Sequence, residues 1–513
     1  MRKVIEIDNN HAHGHNNLAT ILNSRDDKKG AEKHLLKALA LDPDYEAPLQ
    51  TLTVLYLHEN NPVEAEKFVT RAVRISPNDA GNRDLWGIIL RKLRNFSRSL
   101  EEHKKAVKLA PNFPAYYANL GICYTELVLN DEALKCHLKS VELDPKFLDG
   151  YINLSHHYQF VFKAKGLEKA KEALNQALDA GLQSEKIYER LATIHMVQAE
   201  DEMALEMALK ALEINPNSPS ANKTMSEICA KLNKPQEAMR YGEKSVELDP
   251  TDASAHVSYG EACLRARAFE DAISSFDVCL DNPLMKHAEA LAFKTIALRE
   301  MGDHTAAKKI TDLDEFIYVS KLGIPEGFDS VEEFNAALEA DIKKHPTLEK
   351  APTGFAARNS FLTNDLQTPL FEKVEILLRN KVEDYIAQLS EEYTHTFIDD
   401  TPREYFMRIW GTLSNNEGYI DSHIHREGWI SAAYYIKLPA SVDEGGTEGW
   451  IEFGKPSSDF LLEEEFETRR IKPELGSIVM FPSFYYHRTL PYTGDGERLS
   501  ISFDLQSLNS ASV

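Results

Sequence analysis

Through about three-fifths of the chain, apolar residues recur at the three- and four-residue spacing of amphipathic helices, and the helices recur at a fixed interval. A proline ending a helical stretch stands at Pro43, Pro77, Pro111 and Pro145, then at Pro216, Pro250 and Pro283, in steps of 34, 34, 34, 71, 34 and 33. The 71-residue step divides into two repeats if one carries a three-residue insertion, which the segment FVFKAKGLEKAKEAL after Tyr158 supplies. Asn9 stands one period before Pro43. One helix pair cannot bury its own apolar face, so the period predicts stacked pairs sharing a continuous core, curved into a solenoid with a concave surface.

The clearest copy runs PAYYANLGICYTELVLNDEALKCHLKSVELDP, with Leu120, Gly121 and Tyr124 followed by Ala133, Ser140 and Pro145. Small Gly121 and Ala133 let the helices approach, Leu120 and Tyr124 fill the groove between them, and Pro145 stops the second helix. These positions resemble the tetratricopeptide signature, with Trp largely replaced by Tyr, Arg or His; His15 takes that slot in the first repeat. The resemblance implies an all-α solenoid of about eight repeats over residues 1–310 that binds a protein or peptide. The cluster His11, His13 and His15 reads as a polar helix start rather than a metal site.

Past residue 310 the period stops. Residues 311–400 read as a junction with a strand-like stretch, a Gly/Pro turn, a capped helix and a further helix from about Leu370 to Leu389. From Tyr405 the pattern changes to short β-branched and aromatic runs, YFMRIWGTL, SHIHREG, ISAAYYIKL, WIEFG, GSIVMFP and RLSISFDL, separated by Gly, Pro, Asn and Asp. That alternation predicts a barrel or sandwich over residues 401–513.

On this β pattern His423 and His425 are two residues apart, so on a strand both imidazoles leave one face, about 6.6 Å apart along it, and can share a metal. His487 follows a buried run, where a third imidazole closes a facial set that leaves positions open for substrate and oxygen. Arg498 and Ser500 begin the last run on one face, where a guanidinium fork and a hydroxyl can clamp a carboxylate, suggesting a dicarboxylate cosubstrate. Tyr434, Tyr435, Tyr485 and Tyr486 are either core aromatics or walls of the pocket, with Tyr435 a candidate cosubstrate contact. The acidic run Glu463, Glu464 and Glu465 reads as a solvated loop or short helix face with no catalytic role.

The stretch HIHREGWISAAYYIKLP, with GWIEFGKP and GSIVMFPSFYYHRTLPYTGDGERLSISFDL, resembles the 2-oxoglutarate- and iron(II)-dependent oxygenases over about 110 residues. The resemblance implies a double-stranded β-helix of jelly-roll or cupin type with flanking helices. It also implies Fe(II), 2-oxoglutarate and O2 as cofactor and cosubstrates, and hydroxylation as the reaction. His487 and Arg498 match that pattern; the first motif departs from it, with His-x-His in place of His-x-Asp. Two ligand sets stay open: His423, His425 and His487, or His425, Glu427 and His487. A third reading makes the histidines structural or zinc-holding, and the protein a non-catalytic scaffold.

Composition narrows these readings. At 513 residues the chain exceeds a single core. A formal net charge of −23 argues against a nucleic-acid partner. Five cysteines, none in a Cys-x-x-Cys pair, suit reduced structural thiols. No apolar run approaches the length of a membrane span, and the first residues lack the apolar core of a secretory signal, so a cytoplasmic location is expected.

Overall fold

The computed structural model describes residues 10–59, 61–127, 129–281, 288–351, 356–363, 366, 368–389, 395–399, 405–426, 428–494 and 496–507, without the side chains of 160–165, 396, 399, 416 and 417. Asn9, Pro283 and the alternative ligand Glu427 lie outside these residues.

Seventeen helices lie between Ala12 and Ile310 among the described residues, fifteen of them 12–14 residues long. Their starts follow the sequence closely: Asp27, Asn61, Asp79, Asn95, Ser218, Asp252 and Asp303 each accept a backbone N–H of the first turn. The helices ending at Leu41, Ile75, Leu109, Leu143, Ile214 and Leu248 each stop two residues before a periodic proline. Between the paired helices the chain turns through a left-handed residue at Asp26, Arg94, Ala199, Asn233, Arg267 and Gly302.

One repeat departs from the expected pair. Leu148–Asp179 is a single helix of 32 residues, because the inserted segment contains no proline and Gly166 alone does not break it. The small residues act as read, with one refinement. A Cβ on Gly121 would lie 2.6 Å from His137 Cε1, so the glycine makes room for an imidazole. Leu120 and Ala133 are buried, whereas Tyr124 is only half-buried, with Lys104 over its ring. His11 caps the first helix, and His15 is buried against His34. All five cysteines are free and buried. Among the described residues no helix is long and apolar enough to cross a membrane.

The helical solenoid is followed by a curled antiparallel sheet of jelly-roll type. Its strands are β1 (Tyr318–Lys321), β2 (Glu349–Lys350), β3 (Ala357–Leu362), β4 (Tyr405–His423), β5 (Ile430–Lys437), β6 (Ile451–Phe453), β7 (Arg469–Ile471), β8 (Ser477–Pro482), β9 (His487–Thr489) and β10 (Arg498–Ser507). The order is β1-β8-β5-β10-β4-β9-β6-β7, with β3 on β4 and β2 on β3. The 19-residue β4 makes the curl: its first part pairs β10 and its last part pairs β9. Helices Val331–Lys344 and Pro369–Gln388 bury Phe334, Leu338, Ile342, Phe371, Val374, Leu378 and Val382 in the core they share with the sheet.

The chain forms two compact units, residues 1–161 with 166–182, and residues 183–513 with 162–165. Within the second unit one apolar core runs from Ala253 through the last repeat helices to Leu505 on β10. The segment after β6 is fastened to those helices. Arg265 lies over Phe460 and donates to the Asp459 carbonyl, and the Glu300 carboxylate accepts the backbone N–H groups of Glu463 and Glu464. The acidic run has exposed side chains, as read, on a backbone that is held.

Candidate metal centre

Three strand ends build the centre. His423 is the last residue of β4 and stands in register with His487, the first of β9. His487 in turn pairs with Phe453 of β6. His425 lies just past β4, where its N–H donates to the Ser483 carbonyl and keeps it on the same side as His423. The ring centroids are 4.3 Å apart for His423 and His487, and 5.1 Å for each of the other two pairs. One ligand atom from each ring lies within 4.8 Å of the others.

Each imidazole is turned by an acceptor behind it. His423 Nδ1 is 2.8 Å from the Asp421 carbonyl, His425 Nδ1 is 2.5 Å from Asp504 Oδ1, and His487 Nδ1 is 3.0 Å from the Tyr485 carbonyl. Acceptors at Nδ1 place the proton there and leave Nε2 with its lone pair. His423 Nε2 and His425 Nε2 then face each other at 3.1 Å. Two lone pairs at that distance repel unless a cation sits between them, and adjacent ligands at about 2.1 Å from a metal stand about 3 Å apart.

Burial, reinforced by the neighbouring His425, pulls His423 down to about 4. Burial, with His423 and His425 beside it, holds His487 well below the usual histidine range. Those two rings are therefore neutral at pH 7 and available as ligands. Trp410, Phe453 and Phe481 pack against the rings, with Phe481 4.5 Å from His487.

The interior face of β10 carries Arg498, Ser500, Ser502 and Asp504, while Leu499, Ile501, Phe503 and Leu505 fill the opposite side. Ser500 is in register with Thr412 on β4 and Tyr435 on β5. Arg498 is 2% exposed, its guanidinium stacks 5.2 Å from the Tyr435 ring centroid, and no carboxylate among the described residues pairs with it. Among the described residues, Arg498 Nε and Tyr435 Oη are both buried without a hydrogen-bond partner. A buried guanidinium with no counter-ion is costly, so this pocket fits an anionic ligand.

Two of the other tyrosines face elsewhere. Tyr434 donates to Asn335 on a flanking helix, and Tyr485 donates to the Asp312 carbonyl in the junction. Asp504 and Ser431, which support His425, were not singled out in the sequence; the two-residue alternation from Arg498 through Ser500 and Ser502 was the available signal.

Residues 408–504 match the family described as "Putative 2OG-Fe(II) oxygenase". The C-terminal sheet is thus similar to that family, and the helices before it are similar in fold to tetratricopeptide-repeat proteins of known structure. The matched span contains all three histidines, Arg498, Ser500 and Asp504. That family implies Fe(II), 2-oxoglutarate and O2. No curated protein matches the chain significantly. Solved structures similar to the helical part include a thermophilic TPR protein of Thermus thermophilus, at 22% identity, 36% of this chain, 100% of that one and a TM-score of 0.33. Pseudomonas aeruginosa PilF follows at 17% identity, 42%, 97% and 0.34, and yeast Tom70 at 20%, 55%, 63% and 0.45.

Proposed function

We propose that the protein is a 2-oxoglutarate- and Fe(II)-dependent hydroxylase acting on a polypeptide recruited by its repeats, with His423, His425 and His487 as the metal ligands. The observation that carries this reading is the convergence of three imidazoles whose Nδ1 atoms are all engaged behind them. In net terms, R–H, O2 and 2-oxoglutarate give R–OH, succinate and CO2, with one oxygen atom in the alcohol and the other in succinate.

The Nε2 atoms of His423, His425 and His487 would hold Fe(II), which would supply O2 activation coupled to decarboxylation of the keto acid. The protein's own part is binding and exclusion. Arg498 grips the distal carboxylate of the cosubstrate with a charge-assisted fork, and Ser500 and Tyr435 add hydroxyl donors from adjoining strands. Trp410, Phe453 and Phe481 keep the rings dry, so protons do not compete for the two neutral nitrogens.

The polypeptide substrate is supported by the shared core, which fixes the last repeat helices to the oxygenase-family sheet. It is supported too by Arg426, directly after His425, whose Nη1 lies 2.8 Å from Glu289 on helix Ala288–Glu300. Residues 1–310 then act as the recruiting array, 311–400 as the helical lead-in and 401–513 as the reacting domain.

A three-histidine donor set also suits zinc, which favours a scaffold as the second reading. Succinate release decides between them. Iron-loaded protein with 2-oxoglutarate should form succinate, more with polypeptide added, and His487→Ala should form none. Zinc as the sole tightly held metal, with no succinate under any condition, would make the domain a scaffold.

A further inference from the structure

Asp504 sits on the interior face of β10, and its side chain is 12% exposed. Its Oδ1 accepts from His425 Nδ1 at 2.5 Å and from Ser431 Oγ at 2.7 Å. Ser431 Oγ is also 2.7 Å from Ser483 Oγ, and the Ser483 carbonyl accepts the backbone N–H of His425. Arg408 stands directly across from Asp504 in the β4–β10 register, yet the basic group paired with the carboxylate among the described residues is His425. Gly428 closes the pocket from outside: a Cβ there would meet Ser483 Oγ at 2.4 Å and Asp504 Cγ at 3.5 Å. Two strands, a loop and a glycine thus hold one buried carboxylate against one ring nitrogen.

Set beside the His-x-His motif, this arrangement has a chemical meaning. A two-His-one-carboxylate set delivers one negative charge directly to its metal, whereas three neutral imidazoles deliver none. A carboxylate hydrogen-bonded to the far nitrogen of a ligating imidazole pulls on the Nδ1 proton and makes Nε2 a stronger donor. It also locks the tautomer and the ring plane.

We infer that Asp504 is a positioning residue that returns to the three-histidine centre, through His425, the negative charge missing from its first motif. This rests on the reading of His423, His425 and His487 as ligands. Asp504 itself does not touch the metal in this arrangement, since it lies on the Nδ1 side of the His425 ring, away from the Nε2 that faces His423.

The test uses the full chain and Co(II) as an oxygen-stable probe, measuring the dissociation constant by competition and the ligand-field bands of the bound ion. Wild type should bind one Co(II), and His487→Ala should not. Asp504→Asn keeps the shape and an acceptor oxygen but removes the charge; it should keep the band pattern of three-nitrogen ligation while binding about 10–100-fold more weakly. Asp504→Glu should recover part of that loss, and with iron bound Asp504→Asn should raise the Fe(III)/Fe(II) potential. If Asp504→Asn fails to fold, Ser431→Ala, which leaves the charge but unfixes it, should weaken Co(II) several-fold.

Wild-type affinity and potential in a folded Asp504→Asn would overturn the inference while leaving the metal centre standing. Bands showing loss of a directly bound oxygen in Asp504→Asn would make Asp504 a ligand and also overturn it. Absence of Co(II) binding by wild type would remove the centre, and the inference with it.

Discussion

Arg426 Nη1 lies 2.8 Å from Glu289 Oε1, so the residue that follows His425 is tied to the first turn of a repeat helix. The glutamate is mostly covered and the arginine largely in solvent, at 13% and 68% exposure. Pairs this exposed contribute at most about 1 kcal/mol. Arg426→Ala should therefore shift the urea midpoint little and leave metal affinity unchanged. The KM for a polypeptide substrate should rise, while uncoupled consumption of 2-oxoglutarate persists; an unchanged KM would detach this pair from substrate entry.

The anion pocket and the metal centre should separate in mutants. Arg498→Ala removes a buried guanidinium whose only proposed partner is the cosubstrate, so the KM for 2-oxoglutarate should rise about 100-fold or more, a loss of ~3 kcal/mol. Metal content should stay at wild-type level, by contrast with His487→Ala. Arg498→Lys, which keeps the charge without the fork, should fall between them.

Two buried histidines in the first unit should make it acid-sensitive. Burial, with His157 beside it, lowers His137 to about 3, and burial lowers His157 to about 4, against about 6.5 in the unfolded chain. Both rings stay neutral in the fold while the unfolded chain takes up protons. Stability is thus full above pH 6.5 and falls as pH drops toward 3. The loss should be about 5 kcal/mol for the pair at pH 4.5. Urea unfolding between pH 7.5 and 4.5 should show it, and His137→Leu with His157→Leu should flatten the slope.

Ala199 occupies a left-handed turn position at φ 59°, where the equivalent residue of the last helix pair is Gly302. Left-handed backbone costs a non-glycine residue about 1 kcal/mol. Ala199→Gly should raise stability by about 0.5–1 kcal/mol in urea melts, since the strain relieved exceeds the flexibility added to the unfolded chain.

Glu300, with 1% of its side chain exposed, accepts two backbone N–H groups from the acidic segment and pairs with Arg267. Glu300→Ala leaves those donors and Arg267 without their acceptor and should cost about 1–3 kcal/mol. Faster hydrogen exchange confined to residues 457–468 would show that this carboxylate fastens the segment.

The repeats were legible because their information is local. Caps at Asp27, Asn61 and Asp79 and the prolines at a 34-residue interval each fix a helix end without reference to distant residues. The fused helix Leu148–Asp179 was missed because a period implies a break even where no breaker residue stands. At the centre, the spacing of His423 and His425 made their shared face readable. The third partner was not so simply given, since His487 meets His423 only because β4 curls from β10 to β9. Asp504 and Glu300 stayed hidden because each acts on a residue 79 or more positions away. The orientation of the tyrosines depended on the sheet register, which sends Tyr434 to Asn335 and its neighbour Tyr435 to Arg498.

β10 is the last described strand in chain order, yet it lies between β4 and β5 in the sheet. During synthesis the helical repeats, built on local contacts, fold as they leave the ribosome, while β4 and β5 wait with unpaired edges on either side of an empty slot. Only when Arg498–Ser507 emerges do the guanidinium, the serine and the aspartate arrive together to fill it. A chain cut short before that point carries all three histidines but neither the anion grip nor the carboxylate behind His425. The position of one strand thus makes assembly of the whole site conditional on synthesis having passed β10.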